Sequence, residues 1–454
     1  MRNADALLSR SAQDDLLSIR QDLMTVYREV SADDPRLFPL RYTRTTPRHR
    51  APVTGTGGRE AAPPEVPLLL IPDGPGMGSV LPYDGTRRAL ARRGVEVLMM
   101  EHRGVGLSRL DAEGRDLPRH AMHATEVLAD LVAVLDHARV PQVAVHGTGY
   151  GGYLAQALAA LHPDRVFSLV LDSPLTSAED ERAGQRALRA HYWDGEVPAT
   201  STTAAALRRM VEQGVVDARH AGPVVLAVHE HGGPAAVRDL VDLLVQGRGR
   251  LTWSSIRQVL AQDWLQSTPY VVEHELAAPI AHTELGYGHA ADGGPMDPLV
   301  LARSQARAVA PFAGEPWDMP ALAATITAPT TVLAGSRDLV RPPQIARDLA
   351  ARIPGAALLE IPGAGHGLLD TRGPLAQVVA RWATSGLAAD LAGMKRELAA
   401  LPATGPDSTL TSGLRLAIAA ERLSPWRLRM EWARTRHQES LADPSARRNR
   451  TAKV

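Results

Sequence analysis

Short apolar runs of strand length recur along the chain, and amphipathic stretches separate most of them. The runs lie at residues 68–71, 95–100, 142–146, 167–172, 330–335 and 357–361. Between the second and third runs, residues 123–140 carry apolar side chains three and four positions apart, which predicts a helix. Strands that are apolar throughout and joined by helices are typical of a parallel sheet covered on both faces. The pattern therefore predicts an α/β fold with a mostly parallel sheet and helices on both faces.

This alternation stops in the middle of the chain and then resumes. The sequence between the fourth and fifth runs has mostly helical patterning with Gly and Pro breaks, so we predict a large helical cap inserted into one α/β domain. Near the N-terminus, residues 11–30 have helical apolar spacing and predict an amphipathic helix. The predicted division is an N-terminal helical segment and first strand (1–50), the first part of the core (51–173), the cap (174–320), the second part of the core (321–385) and a C-terminal helical extension (386–454).

Composition and charge exclude several classes of function. The chain has 454 residues, zero formal net charge, 44% apolar residues and no cysteine. The balanced charge gives no sign of a nucleic-acid or membrane partner, and the lack of cysteine excludes disulfides, thiolate metal sites and a cysteine nucleophile. The N-terminus has no apolar stretch of signal-peptide length, and no apolar run could span a membrane. We therefore expect a cytoplasmic protein.

The glycine-rich turn at 147–152 has the surroundings of a catalytic nucleophile. It follows a predicted strand, precedes a predicted helix and carries the small residues that a sharp strand-to-helix turn requires. Gly149 stands where the serine of the G-x-S-x-G motif would stand. A dinucleotide-binding loop is the alternative, but this turn follows the third strand of the alternation rather than the first.

Two later loops offer an acid and a base. Asp338 follows the run at 330–335, and His366 follows the run at 357–361. The order nucleophile, acid, base is that of α/β-hydrolase triads. In such triads the acid orients the imidazole, and the histidine is the base for the nucleophile and the acid for the leaving group.

The segment IPDGPGMGS at 71–79 offers part of an oxyanion hole. A tetrahedral intermediate requires two backbone N–H donors. We expect one from Tyr150, which follows the apex of the turn, and the other from Gly74, because Pro75 has no N–H.

Taken together, these segments resemble an α/β-hydrolase-fold protein of the proline iminopeptidase-like aminopeptidase branch. The resemblance is carried by PDGPG (72–76), EHRGVGLSR (101–109), HGTGYGG (146–152), the Asp338 loop and the GAGHG loop around His366. It favours Asp338 over Asp172, the alternative acid position after the fourth strand. It also implies that Glu273, within VVEHEL, holds the free amine of the substrate.

The chain departs from this family at three places. Pro72 and Asp73 stand where the family has His-Gly, and Glu101 stands where it has Asp. These changes are tolerable, but Gly149 has no side chain and cannot form an acyl-enzyme. Removal of a triad nucleophile leaves only a small residual catalysis.

We weigh three hypotheses for the function. The favoured one is a serine hydrolase, an aminopeptidase or esterase that cleaves an N-terminal residue or a small amide or ester, largely inactive because of Gly149. The second is a natural non-hydrolytic member that binds a small ligand under the cap. The third is a lyase or cyclase that uses His366 and Asp338 as an acid–base pair. The expected partner is a small molecule or short peptide, no cofactor is implied, and the oligomeric state is left open.

Two other polar clusters are assigned no chemistry. His120, His123 and Glu126 have a spacing compatible with a metal site, but nothing else converges on them, so no metal is predicted. His229 and His231 flank Glu230 in a glycine-containing stretch, and we predict a polar surface there.

Overall fold

The structure is a computed structural model that describes residues 17, 19–48, 53–54, 60–61, 66–265, 267–288, 294–301, 306–403 and 406–423. Its strands are β1 (Leu23–Ser31), β2 (Asp34–Thr45), β3 (Val53–Thr54), β4 (Glu60–Ala61), β5 (Leu68–Ile71), β6 (Val97–Met100), β7 (Val143–Thr148), β8 (Val166–Asp172), β9 (Thr330–Gly335) and β10 (Ala357–Ile361).

Eight of these strands form one sheet. Their order is β1-β2-β6-β5-β7-β8-β9-β10, and β3 pairs only with β4. The six strands from β6 to β10 are parallel, whereas β2 is antiparallel to both β1 and β6. The predicted mostly parallel sheet is confirmed.

Helices cover both faces of the sheet and build the inserted region. They are α1 (Asp84–Arg92), α2 (Ala124–His137), α3 (Tyr150–Leu161), α4 (Asp180–Arg189), α5 (Ser201–Glu212), α6 (Ala218–Val245), α7 (Arg250–Leu265), α8 (His274–Ala278), α9 (Met319–Ala323), α10 (Pro343–Arg352), α11 (Leu368–Thr371), α12 (Gly373–Thr384), α13 (Lys395–Ala399) and α14 (Pro406–Leu423). In the described part of the chain, no helix is long and apolar enough to cross a membrane.

The core strands are apolar throughout because each is buried on both faces. Along β5, Leu68 and Leu70 pack into one apolar cluster with α1 and α12, while Leu69 and Ile71 pack into another with α2 and α3. Successive residues of a strand point to opposite faces of the sheet, so burial of both faces removes any polar alternation. This burial is the reason that the apolar runs located the central strands correctly.

The predicted helix at 11–30 is wrong over its second half. Residues 23–31 form β1, which pairs along its length with β2. Most of the first half lies outside the described residues, although Leu17 and Ile19 are helical. The stretch around Val26 and Tyr27 is rich in β-branched and aromatic residues, and pairing with β2 outweighs a helical spacing at the half-exposed edge of the sheet.

The inserted region has a small apolar core of its own. Leu207, Val228 and Leu240 belong to it, and so does Ile418 from α14 near the end of the described chain. The packing of α14 on α6 is reinforced by Thr411, whose hydroxyl donates to the carbonyl of His231 at 2.7 Å. The C-terminal extension therefore packs against the inserted region, which is the predicted cap.

Candidate active site

Four loops meet at one edge of the sheet because each follows the carboxyl end of a parallel strand. The loop after β5 carries Gly74, the turn after β7 carries Gly149 and Tyr150, and the loops after β9 and β10 carry Asp338 and His366. The structure thus brings together five of the six residues predicted for the site.

The turn between β7 and α3 is as sharp as the sequence predicts. Gly149 has φ of 52° and ψ of −117°, a conformation that side-chain-bearing residues rarely adopt. A Cβ at Gly147 would lie 2.4 Å from the carbonyl oxygen of Gly151, and one at Gly151 would lie 2.2 Å from that of Ile71. The flanking glycines are therefore required by close backbone approach.

A carboxylate fills the space that a nucleophile side chain at this turn would occupy. A Cβ built on Gly149 would lie 2.2 Å from Oδ1 and 2.3 Å from Cγ of Asp73. The sequence analysis treated Asp73 as a tolerable departure and missed this contact. The sequence did contain a signal for it: the chain departs from the family pattern at two positions together, with Asp73 in place of glycine and Gly149 in place of serine.

The two predicted oxyanion donors bind this carboxylate. The Tyr150 N–H donates to Asp73 Oδ1 at 2.7 Å, and the Gly74 N–H donates to the same oxygen at 2.8 Å. Asp73 Oδ1 therefore lies where the oxygen of a tetrahedral intermediate would be stabilised in a serine hydrolase.

His366 lies between two carboxylates. Its Nδ1 is 2.9 Å from Asp338 Oδ2, and its Nε2 is 3.5 Å from Asp73 Oδ2. Asp338 is held in turn by the N–H groups of Val340 and Arg341, which donate to its Oδ1 at 2.9 and 2.7 Å. The result is an Asp338–His366–Asp73 array in which each ring nitrogen of His366 faces one carboxylate.

The two carboxylates determine the charge of this array. Burial acts to lower the pKa of His366, but Asp338 and Asp73 outweigh it and raise that pKa well above its usual 6.5. Burial acts to raise the pKa of Asp73, but His366 and the Tyr150 N–H outweigh it and lower that pKa. At neutral pH the array therefore contains an imidazolium facing an ionised Asp73.

The prediction of a polar surface at 229–231 is wrong for His229 and Glu230. His229 is 1% exposed; its Nδ1 lies 2.7 Å from the Tyr192 hydroxyl, and its Nε2 lies 2.9 Å from the carbonyl oxygen of Arg337. Helix α6 is interrupted at Gly233, where φ is 76° and a Cβ would lie 2.2 Å from Arg337 Nη1. This break lets the cap approach the acid loop closely.

Glu230 connects the acid loop to the base loop. Its Oε1 accepts from the Leu339 N–H at 2.8 Å, and its Oε2 accepts from the His366 N–H at 2.7 Å. Burial, followed by the charge of Asp338, raises the pKa of Glu230 to about 7. Sequence spacing offered no signal for this contact, because it joins residues more than a hundred positions apart.

Glu230→Gln is expected to remove part of the pH dependence of stability. The pKa of Glu230 is raised from 4.5 to about 7 on folding, so the folded state retains a proton that the unfolded state releases in this range. The wild-type free energy of unfolding should therefore fall as pH rises through this window, by on the order of 3 kcal/mol, and the variant should lack that fall. Urea unfolding between pH 4.5 and 8 measures it.

The control is Glu212→Gln, at an exposed position of helix α5. It should retain the wild-type pH dependence. If the free energy of unfolding of Glu230→Gln falls with pH as steeply as that of the wild type, the pKa of Glu230 is not raised.

The two remaining acidic candidates bind other groups. Asp172 accepts from the N–H groups of Leu368 and Leu369 at 3.0 and 2.8 Å, so it holds the start of α11. Glu273 is 5% exposed and accepts from the Gly106 N–H at 2.5 Å. This placement gives no support to the amine-binding role that the resemblance implies for Glu273, which stays a prediction.

A cavity of about 450 Å³ lies between the core and the cap, beside the array. The core contributes Asp73, Tyr83 and Arg341, and the cap contributes mostly apolar side chains. Those apolar cap residues include Leu226, Val272, Ala277, Ala278, Ala281 and Leu299. Of the Asp73 side-chain surface, 38% remains accessible, so a molecule in the cavity can reach this carboxylate.

The residues considered for a metal site do not converge. His123 Nδ1 lies 2.6 Å from Glu284 Oε1, whereas Glu126 lies 3.3 Å from Arg103. Within the described ranges, no group of three or more metal-ligating side chains comes together.

The sheet order and the placement of these loops are those of the α/β-hydrolase fold. The model of the family described as alpha/beta hydrolase fold matches residues 66–372, which is more than half of the chain. The chain therefore belongs to the α/β-hydrolase-fold family.

Several solved structures are similar to this chain at low identity. A proline iminopeptidase from Mycobacterium smegmatis is 20% identical, with 81% of this chain and 100% of that chain covered and a TM-score of 0.49. A hydrolase from Pseudomonas aeruginosa is 20% identical, with 79% and 97% covered and a TM-score of 0.42. A thermophilic esterase from Thermogutta terrifontis is 18% identical, with 83% and 99% covered and a TM-score of 0.39. Likenesses at these values carry no information about substrate.

Proposed function

We propose that this chain is a hydrolase that acts on a small molecule in the cavity between core and cap, with Asp73 and His366 as its reacting pair. The observation that carries the proposal is the position of the Asp73 carboxylate. It fills the space of the missing serine side chain, faces His366 Nε2 and remains accessible from the cavity. Asp73 would thus provide a reactive carboxylate at a site that has Gly149 in place of a serine.

The aminopeptidase activity implied by the resemblance would be residual at most. Gly149 cannot form an acyl-enzyme, and the N–H donors of Gly74 and Tyr150 are engaged by Asp73 Oδ1. An amide or ester carbonyl would have to displace this carboxylate before its oxyanion could be stabilised. The proposal therefore includes weak cleavage of aminoacyl and acyl substrates.

The charges of the array favour a chemical role over ligand binding alone. Partial removal of charged groups from water costs free energy of desolvation, which folding must offset elsewhere. Opposed pKa shifts in a titratable pair beside a cavity are characteristic of sites that transfer protons. His366 and Asp73 have such opposed shifts, upward for His366 and downward for Asp73.

The proposal is tested by turnover of three substrate classes: aminoacyl arylamides with proline first, short acyl esters of p-nitrophenol, and small aryl epoxides. We expect the wild-type protein to turn over at least one class. That activity should fall by about a hundredfold or more in Asp73→Asn and in His366→Gln, because each substitution removes a group that reacts directly.

The matched control is Asp164→Asn, at an exposed position outside the site. It should retain wild-type turnover, and thermal unfolding of each variant separates loss of chemistry from loss of fold. The proposal is wrong if the wild type turns over none of the three classes, or if Asp73→Asn is as active as the wild type.

A further inference from the structure

We infer that the C-terminal helix α14 belongs to the scaffold of the active site: it holds the break in cap helix α6 in place, so that Glu230, next to this break, positions His366 against Asp338. The inference rests on the proposed function only in that it treats His366 as a reacting group. Helix α14 lies beyond residues 66–372, which the family model matches, so the inference gives the C-terminal extension a role of its own.

Glu230 joins the peptide units at both members of the Asp338–His366 pair. Its Oε2 accepts from the N–H of His366 at 2.7 Å, and its Oε1 accepts from the N–H of Leu339, the residue after Asp338, at 2.8 Å. The two oxygens of one carboxyl group are a fixed distance apart, so this bridge sets the separation of the two loops. Across the bridge, His366 Nδ1 and Asp338 Oδ2 are 2.9 Å apart.

The base loop is shaped to admit this carboxyl group. A Cβ on Gly365 would lie 2.4 Å from Glu230 Oε2 and 3.0 Å from the Glu230 carbonyl oxygen. The two loops are also joined elsewhere, where the Arg337 N–H donates to the carbonyl oxygen of Ala364 at 2.8 Å. We therefore expect the loops to stay folded when Glu230 is changed, while the His366 N–H loses the acceptor that fixes it.

Helix α6 alone does not fix the position of Glu230, because it breaks three residues later. Gly233 has φ of 76° and ψ of 179°, which are not helical. Pro234 has no N–H, so the Glu230 carbonyl oxygen lacks its usual helical donor. The segment before the break therefore depends on contacts with other elements. One of these is the acid loop, where His229 Nε2 lies 2.9 Å from the carbonyl oxygen of Arg337.

Helix α14 packs on the residues between Glu230 and the break. The Thr411 hydroxyl donates to the carbonyl oxygen of His231 at 2.7 Å. A Cβ on Gly232 would lie 3.0 Å from Leu414 Cδ2, so the absence of a side chain there admits α14 closely. The position of Glu230 thus depends on a helix that begins more than 170 residues later in the chain.

Further contacts anchor α14 itself. On the cap side, the Glu421 carboxylate accepts from the N–H groups of Gly249 and Thr252 at 2.5 and 2.6 Å, at the start of α7. A carboxylate is stabilised at the N-terminus of a helix by its free N–H groups. On the core side, α14 lies beside α11, the short helix that begins two residues after His366. One helix thus contacts both the cap and the element that follows the base.

A shift of the His366 backbone would move its ring relative to both carboxylates. Nδ1 lies 2.9 Å from Asp338 Oδ2, and Nε2 lies 3.5 Å from Asp73 Oδ2. Proton transfer requires hydrogen-bond reach, and a misplacement of about 1 Å costs on the order of a hundredfold in rate. Loosening of Glu230 should therefore lower kcat more than it changes KM.

The test follows the imidazole of His366 by NMR in the full-length protein with ¹⁵N-labelled histidine. It is run above pH 7, where Glu230, with its pKa of about 7, is mostly ionised and accepts through both oxygens. The Nδ1–H proton of His366 should give a downfield resonance, because it is donated to the Asp338 carboxylate at 2.9 Å. The resonance is assigned by its loss in His366→Gln.

Two variants separate the bridge from the helix that holds it. Glu230→Gln keeps the size of the side chain but only one acceptor oxygen, so the resonance should move upfield and broaden. Thr411→Val combined with Glu421→Gln, both on α14, should produce the same kind of change. The matched control is Ser412→Val, at an exposed position of α14, and it should keep the wild-type resonance. Urea unfolding checks that each variant is folded.

Turnover gives a second readout. With a substrate that the wild type turns over, kcat should fall by about tenfold or more in Glu230→Gln, with KM within about threefold of the wild-type value. A residue that only stabilised the fold would leave kcat per folded molecule and the His366 resonance unchanged.

The other outcomes reject defined statements. If Glu230→Gln changes the His366 resonance and the double variant on α14 does not, α14 is not part of the scaffold and the inference is wrong. If neither variant changes it, Glu230 is not a positioning residue either. If Glu230→Gln does not fold, the α14 variant decides. Absence of turnover in the wild type would reject the proposed function, and the resonance would still decide this inference.

Discussion

Gly149→Ser alone is expected to leave the protein without serine-hydrolase activity, whereas Gly149→Ser combined with Asp73→Gly is expected to create it. In the single variant, the serine Cβ would lie 2.2 Å from Asp73 Oδ1, and the oxyanion donors would stay engaged. In the double variant, the serine has space and both donors are released. His366 also loses one of its two carboxylates, so its pKa should fall towards the range of a general base.

Two measurements check this expectation. The double variant should react with an alkyl fluorophosphonate at residue 149 and hydrolyse p-nitrophenyl acetate about a hundredfold faster than the single variant. This gain is a modest part of the roughly 10⁶ that a nucleophile supplies in an evolved triad. The control, Gly149→Ala with Asp73→Gly, should do neither. If the single variant is labelled as fast as the double variant, then Asp73 does not obstruct residue 149.

Arg103→Met is expected to lower the free energy of unfolding by about 3–5 kcal/mol, the range for removing one partner of a buried ion pair. Arg103 and Asp130 are both fully buried, with Nε to Oδ2 at 2.6 Å and Nη2 to Oδ1 at 2.7 Å. The guanidinium also donates to the carbonyl oxygens of Val30 and Ala121 and lies 5.2 Å from the ring of Phe38. Methionine would leave both carbonyls without these contacts and would leave Asp130 with the partly exposed Arg28, whose Nε lies 3.1 Å from Asp130 Oδ1.

Urea unfolding at pH 7 measures this loss. The matched control is Arg347→Met, which removes the exposed ion pair with Glu360 and should cost no more than about 1 kcal/mol. Equal losses in the two variants would show that the Arg103 pair contributes no more than a surface ion pair. A larger loss of unfolding free energy in Arg103→Met than in Arg347→Met would show that Arg103, within the EHRGVGLSR segment, stabilises the core.

The local features of the fold could be predicted because they depend on neighbours in sequence. A strand buried on both faces requires consecutive apolar residues, as at Leu68–Ile71. A sharp strand-to-helix turn requires small residues at fixed offsets, and Gly147 and Gly151 meet this requirement. These patterns located the central strands, the turn at Gly149 and the loops of Asp338 and His366.

Contacts between distant parts of the chain could not be predicted in this way. The stretch after residue 22 forms an edge strand because β2 pairs with it, and a half-exposed edge tolerates either periodicity. Glu230 was predicted to lie on the surface, and only the break at Gly233 explains its approach to the loops of Leu339 and His366.

The sequence by itself determined the architecture, the loops at which chemistry can occur and the absence of a nucleophilic side chain at Gly149. The tertiary structure alone decided what replaces that side chain. Asp73 and Tyr150 are 77 positions apart, and no spacing rule connects them. They meet because β5 and β7 are adjacent parallel strands whose carboxyl ends share one edge of the sheet. Strand order, which depends on packing across the whole domain, therefore brings the carboxylate of Asp73 to His366.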